Sequence, residues 1–561
     1  MTTDVMSPPA DVVRTPALRG PRGLSRLATS WRRTPTAWVL AGAMVAVAVR
    51  LPYLRAPLGS DEGGFLLVAS QWRAGGTSLY GDYWVDRPPL LIAFFGAADQ
   101  LGGATSLRLM GCVLAFSVVV LAHLLGRAVT RRISPVSPWP VLAAIGFVCM
   151  PLTGTQEVNG ELIALPLVLL GLLTALRAAR HQAPVYRLLL WMAAGSLGVA
   201  ATMVKQNFLD VFAFSVVLLV ATVWTRRPAD RNIGRAIGEL SALLVGGLLA
   251  GTATLLAATA RGTTPRGLWD ALVVFRLDAG MVIAQSASSA THDRLVRLLL
   301  MMCLSGSTVL IVAFATHALR RPRQPMALAT VALLGWELIG VLAGGSYWLH
   351  YLLGLIPGLV LAVAQLTPRS GRLGVTARAA VVYAALVALV TAPGALIVSP
   401  PTASDPPAAV WLEQHARPGD TATVLYGGPN VLQVAGLTSP YPELWSLPVR
   451  VRDPHLAELQ AVLDGEHPPI WLLASHGLAT WGVSSDQAHA VVAARYEPVD
   501  TVDGYTVYHL RAAVTAARGL SAATSPTAVR PPGDPYSSRS SAPTSSAPAP
   551  QIPYHPAEET S

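Results

Sequence analysis

Lysine is almost missing from this chain: Lys205 is the only one in 561 residues. Charge of either sign is scarce, at 13% of residues where soluble domains have about 25%. The apolar runs are too long and too many for one soluble core, so a soluble protein is excluded. The net charge of +10 rests almost wholly on arginine. Those arginines fall in short clusters between apolar runs, not along one face, which excludes nucleic acid as a partner. Cysteine is also nearly absent. Cys112, Cys149 and Cys303 sit within apolar runs and read as small core hydrophobes, not as a disulfide framework or a metal cluster. There is no P-loop, no GxGxxG after a strand, no CxxC pair and no HExxH, so nucleotide, zinc-finger and zincin chemistry lack support. Nor is there an internal repeat of the kind inverted-repeat transporters show.

What is abundant is apolar: 52% of residues are hydrophobic. The runs predict a polytopic α-helical membrane protein with about 11 spans. They lie at 36–54, 106–129, 138–153, 161–178, 187–205, 207–224, 236–259, 294–317, 326–345, 348–366 and 377–398. Residues 88–102 are apolar but short for a span. They read as a re-entrant or surface helix opened by Pro88-Pro89. The clusters Arg127/Arg131/Arg132, Arg177/Arg180/Arg187, Arg226/Arg227/Arg231/Arg235, Arg320/Arg321/Arg323 and Arg369/Arg372/Arg378 occupy every second loop, beginning with a basic tail at 1–34. That tail is too irregular for a simple signal peptide. The arginines place it in the cytoplasm and residues 55–88 outside a multi-pass plasma-membrane protein.

Past residue 400 the composition changes. The predicted organisation is a disordered tail at 1–34, a transmembrane region at 35–400, a small extracytoplasmic α/β domain at 401–512 and a disordered Ser/Pro/Ala-rich tail at 513–561. Within the α/β domain, helices are expected at 409–416, 455–463 and 487–494, strands at 421–426 and 470–474, and a hairpin at Asp503-Gly504.

Chemistry is expected in the first outer loop. It gathers Asp61, Glu62, Asp82 and Asp86 with Arg73, Arg87, Tyr80, Tyr83 and Trp84. Gly63-Gly64 reads as a turn. A helix over 62–74 is predicted along the membrane surface, with Phe65, Leu66, Val68, Ala69 and Trp72 as its apolar face and Gly75-Gly76 as its stop. Asp61 can accept a proton from a hydroxyl nucleophile, or it can cap that helix. Asp86-Arg87 suits a metal ion or a phosphate, the planar fork of Arg fitting phosphate oxygens. Lys205 is either a snorkelling lysine or a cation facing the same cavity. Glu157, Asn159 and Glu161 either position an acceptor or cap the next span. A long outer loop at 260–293 places Arg276 on a possible surface helix. Tyr347, His350 and Tyr351 follow in a third loop, where the last two are belt residues or ligand contacts.

These residues also resemble a known group. An acidic pair in the first outer loop, Gly-Asp-Tyr-Trp, Asp86-Arg87-Pro88-Pro89-Leu90, Glu and Asn in the second outer loop, Lys205-Gln206 at a span end and His350-Tyr351-Leu352 are similar to the GT-C membrane glycosyltransferases. The nearest branch includes the protein O-mannosyltransferases and the aminoarabinose transferases of lipid A. The likeness covers about residues 35–400. The commoner form has Lys where this chain has Arg87. The resemblance implies a polyprenyl-phosphate sugar donor in the membrane lipid, an acceptor that is a glycan, lipid or protein, and a divalent cation (Mg or Mn). It implies Asp61 as base with Glu62 beside it, Asp86 at the metal, Arg87 at the donor phosphate, and Lys205, Arg276 and His350 lining the site. The rivals are a transporter or lipid flippase, whose ionisable groups belong near the bilayer midplane, and a non-catalytic scaffold with an outer binding domain.

Overall fold

Apolar runs alternating with arginine-rich links fold into a helical bundle whose two ends differ in chemistry. The computed structural model describes residues 35–72, 78–130, 137–285, 289–401, 404–475, 477–478 and 483–511. The tails, Arg73, the helix stop at Gly75-Gly76, and Arg131 and Arg132 lie outside the described residues.

The helices in order begin with α1 (Pro35–Arg50), α2 (Ser60–Gln71), α3 (Pro89–Gln100), α4 (Ala104–Thr130) and α5 (Trp139–Val148). Then come α6 (Gly160–Arg180), α7 (Pro184–Thr202), α8 (Asp210–Trp224) and α9 (Ile233–Thr259). After a one-turn π-helix at Asp270–Val274 follow α10 (Phe275–Gln285), α11 (Ser289–Leu304), α12 (Ser307–Leu319), α13 (Pro325–Leu342), α14 (Ile356–Leu366) and α15 (Arg372–Val398). Among the described residues, eight helices are long and apolar enough to cross a membrane, nine if the pair α11–α12, bent by 69°, is counted as one broken span. Two shorter apolar helices, α5 and α8, fall on the remaining predicted spans. The chain is thus a multi-pass membrane protein. The short run at 88–102 forms α3, with Pro89 in its first turn as expected.

Arginines close one end of the bundle. Arg180 donates to the Ala128 carbonyl, and Arg378 to the carbonyls of Thr367 and Arg369. Arg187 and Arg235 share the buried carboxylate of Glu239, at 2.8 and 2.7 Å. At the centre runs α14, apolar except for Gln365 and buried along its whole length. Helices α7 and α9 touch backbone to backbone. A Cβ on Gly195 or Gly246 would strike the other helix's carbonyl, at Leu243 or Met192 respectively. Small residues bring membrane helices that close when there is no hydrophobic gain to drive them together.

Helix α2 departs from expectation. It starts at Ser60, with Gly59 as its N-cap, so Asp61 lies inside the first turn and does not cap it. Residues 62–69 are buried on all sides instead of presenting one apolar face. Gly63-Gly64 is therefore no turn. It is a flat patch on which the C-terminal unit rests: a Cβ on Gly63 would come within 2.5 Å of Asn430 Cα, and one on Gly64 within 2.7 Å of Pro429 Cγ.

That unit contains α16 (Pro407–His415), β1 (Ala422–Val424), α17 (Pro429–Ala435), α18 (Ser446–Arg452), α19 (Ala457–Asp464), β2 (Trp471–Ala474), α20 (Asp486–Arg495), β3 (Tyr496–Val502) and β4 (Tyr505–Leu510). Its sheet runs β1-β2-β4-β3, with β1 and β2 parallel and the other pairs antiparallel. The hairpin turns at Asp503-Gly504, both with positive φ (54° and 78°), as a two-residue type I′ turn requires. The segments α17 and α18 were not predicted. Each has only seven residues, too few to show a period, and α18 has Pro448 inside it. The unit is fastened to the first loop by Trp84 N–H donating to Pro442 O at 2.9 Å, Asn430 donating to Leu58 O at 3.1 Å, and Ser439 N–H donating to the Tyr83 hydroxyl at 3.0 Å.

Candidate active site

Opposite the arginine end, side chains from distant parts of the chain meet. Asp86 is their centre. Its Oδ1 accepts from Arg87 Nη1 at 2.6 Å, and its Oδ2 is held by Arg276. Arg276 stands in the first turn of α10, directly after the π-helix, an irregularity common at functional sites. Burial pushes the Asp86 carboxyl up, but Arg276 and Arg87 outweigh it and hold it below the usual carboxylate value. Two more bonds pin this strand: Gln206 donates to Asp86 O at 2.9 Å, and the Tyr80 hydroxyl to Arg87 O at 3.2 Å. Arg87 also lies 5.6 Å from the Phe65 ring centre.

Lys205 follows α7 and binds the buried Glu161. It lies over the Tyr351 ring at 4.3 Å, and His350 Nε2 is 3.9 Å from the same Glu161 oxygen. Arg87 feels the charges of Asp86 and Asp61 and then of Tyr351 and Glu161, so the two halves form one electrostatic group. Its members remain partly open: 37% of the Arg276 side chain is exposed, 24% of Arg87 and of His350, and 18% of Lys205.

The two adjacent acids of α2 have opposite surroundings. Glu62 is buried, and its oxygens accept from Arg108 at 2.6 Å, the Val158 amide at 2.7 Å and the Gly59 amide at 3.1 Å. Arg108 reaches on to Pro57 O at 2.9 Å, while Arg50 grips the carbonyls of Thr155, Gln156 and Glu157. This clasp locks α2, α4 and the second loop together. Asp61, one residue earlier, is half-buried and has no hydrogen-bond or ion-pair partner among the described residues. Its charge acts on Arg87 without an ion pair between them.

Of the two acids in the second loop, only Glu157 is without an ion-pair partner among the described residues. Partial desolvation and the carboxylates of Glu62 and Asp61 push its carboxyl up to about 7. Asn159 caps α6, accepting from the Leu162 amide at 3.0 Å, and Glu161 is the counter-ion of Lys205. Tyr347 has a left-handed backbone, φ 56°, and makes no hydrogen bond to the group among the described residues.

A divalent cation at Asp86 does not fit these residues. Both carboxylate oxygens are spent on guanidiniums, and among the described residues no group of three or more His, Cys, Asp or Glu side chains is placed to hold a metal. The sequence reading missed Arg50 and Arg108. The signal was there: a lone arginine inside an apolar helix needs a buried partner.

No family model matches the chain, and no curated protein matches it. Among solved structures it is similar to ArnT from Cupriavidus metallidurans bound to undecaprenyl phosphate, with TM-score 0.55 and 14% identity over 87% of this chain and 99% of that one. The apo state of the same protein gives 0.53 at 14% identity and the same coverage. The Archaeoglobus fulgidus oligosaccharyltransferase tethered with an acceptor peptide gives 0.46 at 12%, over 84% and 73% of the two chains. The likeness to ArnT establishes the fold as GT-C.

Proposed function

We propose that this chain is a membrane glycosyltransferase that moves a sugar from a polyprenyl-phosphate donor to an acceptor hydroxyl on the outer face. One observation carries the reading. A free carboxylate, Asp61, stands in one group with three cations, Arg87, Arg276 and Lys205, drawn from separate parts of the sequence. Neither a scaffold nor a flippase has a reason to assemble these at one end of the bundle.

The geometry supports the following roles. Asp61 takes the proton from the acceptor hydroxyl as its oxygen attacks the anomeric carbon, an effect worth about 10²–10⁴-fold. The bond from that carbon to the phosphate oxygen breaks, and the configuration inverts. The leaving phosphate needs positive charge, not an acid. One carboxylate, Asp86, between two guanidiniums leaves a unit of positive charge uncompensated, and Arg87 offers it as a planar fork. Asp86 orients the two arginines. Lys205, paired with Glu161, stands in the same electrostatic group as Arg87 and Arg276, while Glu62 holds α2 in place. The fold of ArnT, solved with undecaprenyl phosphate, supports a lipid-linked donor. Supplying purified protein with polyprenyl-phosphate sugars one at a time, together with a solubilised cell-envelope extract that supplies glycan, lipid and protein acceptors, and looking for release of the free lipid phosphate, tests the reading. If no donor is turned over while the protein stays folded, the reading fails.

A further inference from the structure

Behind Lys205 lies a cavity of about 10 Å³, room for one water molecule. Its wall includes Glu161 and Tyr351, the two side chains that grip Lys205, and beyond them Asn207, Asp210, Trp336 and Glu337. Asp210 opens α8, and Glu337 sits near the end of α13. They are 2% and 5% exposed. Neither belongs to the group described above.

Taken as carboxylates, these two side chains are not satisfied. Asp210 Oδ1 and Glu337 Oε2 are buried without a donor among the described residues, and so is Asn207 Oδ1. Glu337 Oε1 accepts the Gly358 amide at 2.8 Å. The two carboxyls line the same one-water cavity, each with an oxygen left over. Two buried acceptors facing one water-sized cavity need a proton between them. The titratable groups that face the pair are Glu161 of α6 and Tyr351, with Lys205 and His350 standing beyond on Glu161. Lys205 is taken by Glu161, so no cation on the cavity wall neutralises the pair. Two ionised carboxylates facing one small cavity inside a protein repel and go unsolvated, and one shared proton relieves both costs.

We propose that Asp210 and Glu337 are a proton-sharing carboxyl pair, completed by one water, that positions Lys205 by bolting the 203–209 link to α13 and α14. The inference rests on the reading of Lys205 as a donor-phosphate cation. The rest of the link is held the same way: Trp336 Nε1 donates to Asn207 O at 2.8 Å, and Thr202 Oγ1 to Phe208 O at 3.0 Å. Asp210 and Glu337 touch no substrate and are positioning residues.

Two measurements on the purified full chain test this. The first is infrared absorption at neutral pH. The wild type is expected to show a protonated-carboxyl C=O band that the Asp210→Asn/Glu337→Gln double variant lacks. Identical spectra overturn the proposal. The second is kinetic. Glu337→Gln keeps an acceptor for Gly358 and gains an N–H for Asp210, so it mimics the protonated acid. It is expected to keep the donor KM within about threefold, whereas Glu337→Ala raises it by about tenfold with a smaller change in kcat. Equal damage from Gln and Ala overturns the proposal. So does saturable thermal stabilisation by NaCl or MgCl2 that the double variant loses, since a cation would then hold the oxygens. If no form turns over any donor, the transfer reading has failed, and the infrared band still decides for or against the shared proton.

Discussion

Arg108 and Glu62 meet at 2.6 Å with 5% and 1% of their side chains exposed, and this pair separates structure from chemistry in α2. Breaking a buried ion pair from one side strands the other charge, at a cost of about 3–5 kcal/mol. Glu62→Ala is therefore expected to lose folded yield and lower the thermal midpoint sharply in detergent. Asp61→Asn, with no bond to lose, keeps the wild-type midpoint but loses transfer by about 10²-fold or more. Thermal unfolding and turnover, measured on both variants, check the division. It is wrong if Asp61→Asn unfolds the protein or Glu62→Ala proves silent in both.

A second expectation concerns the fork of Arg87. Lysine keeps the charge but not the planar pair of donors. Its ammonium, drawn to Asp86, would have less to offer a phosphate. Arg87→Lys is expected to raise the donor KM by about tenfold, and Arg276→Ala by at least as much, with the acceptor KM unchanged. Parallel changes in both KM values would mean that these arginines do not face the phosphate.

Gly63 and Gly64 let α17 rest on α2, so side chains there must wedge the two apart. Overpacking of this kind costs about 1–3 kcal/mol. Gly64→Ala should bring Cβ against Pro429 and the Trp445 ring. The midpoint is expected to fall, and limited proteolysis to cut more readily after residue 400. An unaltered cleavage pattern would show that the contact is dispensable.

What could be read beforehand follows from the range of each signal. Span positions and the Asp503-Gly504 turn are local, written in run length and in two residues of special φ. Lys205 stood out because a charge after an apolar run has few reasons to be there. The contact of Arg108 with Glu62 spans 46 positions, and that of Arg276 with Asp86 spans more. Such pairings are decided by helix packing, which no window of sequence contains. Gly63-Gly64 misled for a related reason: Gly-Gly signals a turn locally, but also a flat surface for a partner that lies some 370 positions away. The expectation of a metal at Asp86 comes from the resemblance of the Asp86-Arg87-Pro88-Pro89 stretch, not from its surroundings. The neighbours of Asp86, not its chemistry, decide that both oxygens are occupied.

The last expectation is a pH dependence in the C-terminal unit. Glu443 is 1% exposed. Its Oε1 accepts from Arg452 Nε at 2.6 Å, and its Oε2 has no partner among the described residues. Burial dominates the pull of Arg452 and pushes its carboxyl from 4.5 up to about 7. Between those values the folded chain holds a proton that the unfolded chain has released. Stability that is present at lower pH is therefore lost as pH rises through about 7, by at most roughly 3 kcal/mol. Glu443→Gln cannot ionise and escapes that loss. The thermal midpoint of the wild type, taken relative to Glu443→Gln from about pH 5 to 8, is expected to fall, while other titrating groups cancel in the difference. Arg452 lies over the Trp84 ring at 4.7 Å, two residues before Asp86, so the loosening should reach the donor side and raise the donor KM in step. A difference that stays flat or rises with pH would place the Glu443 proton elsewhere.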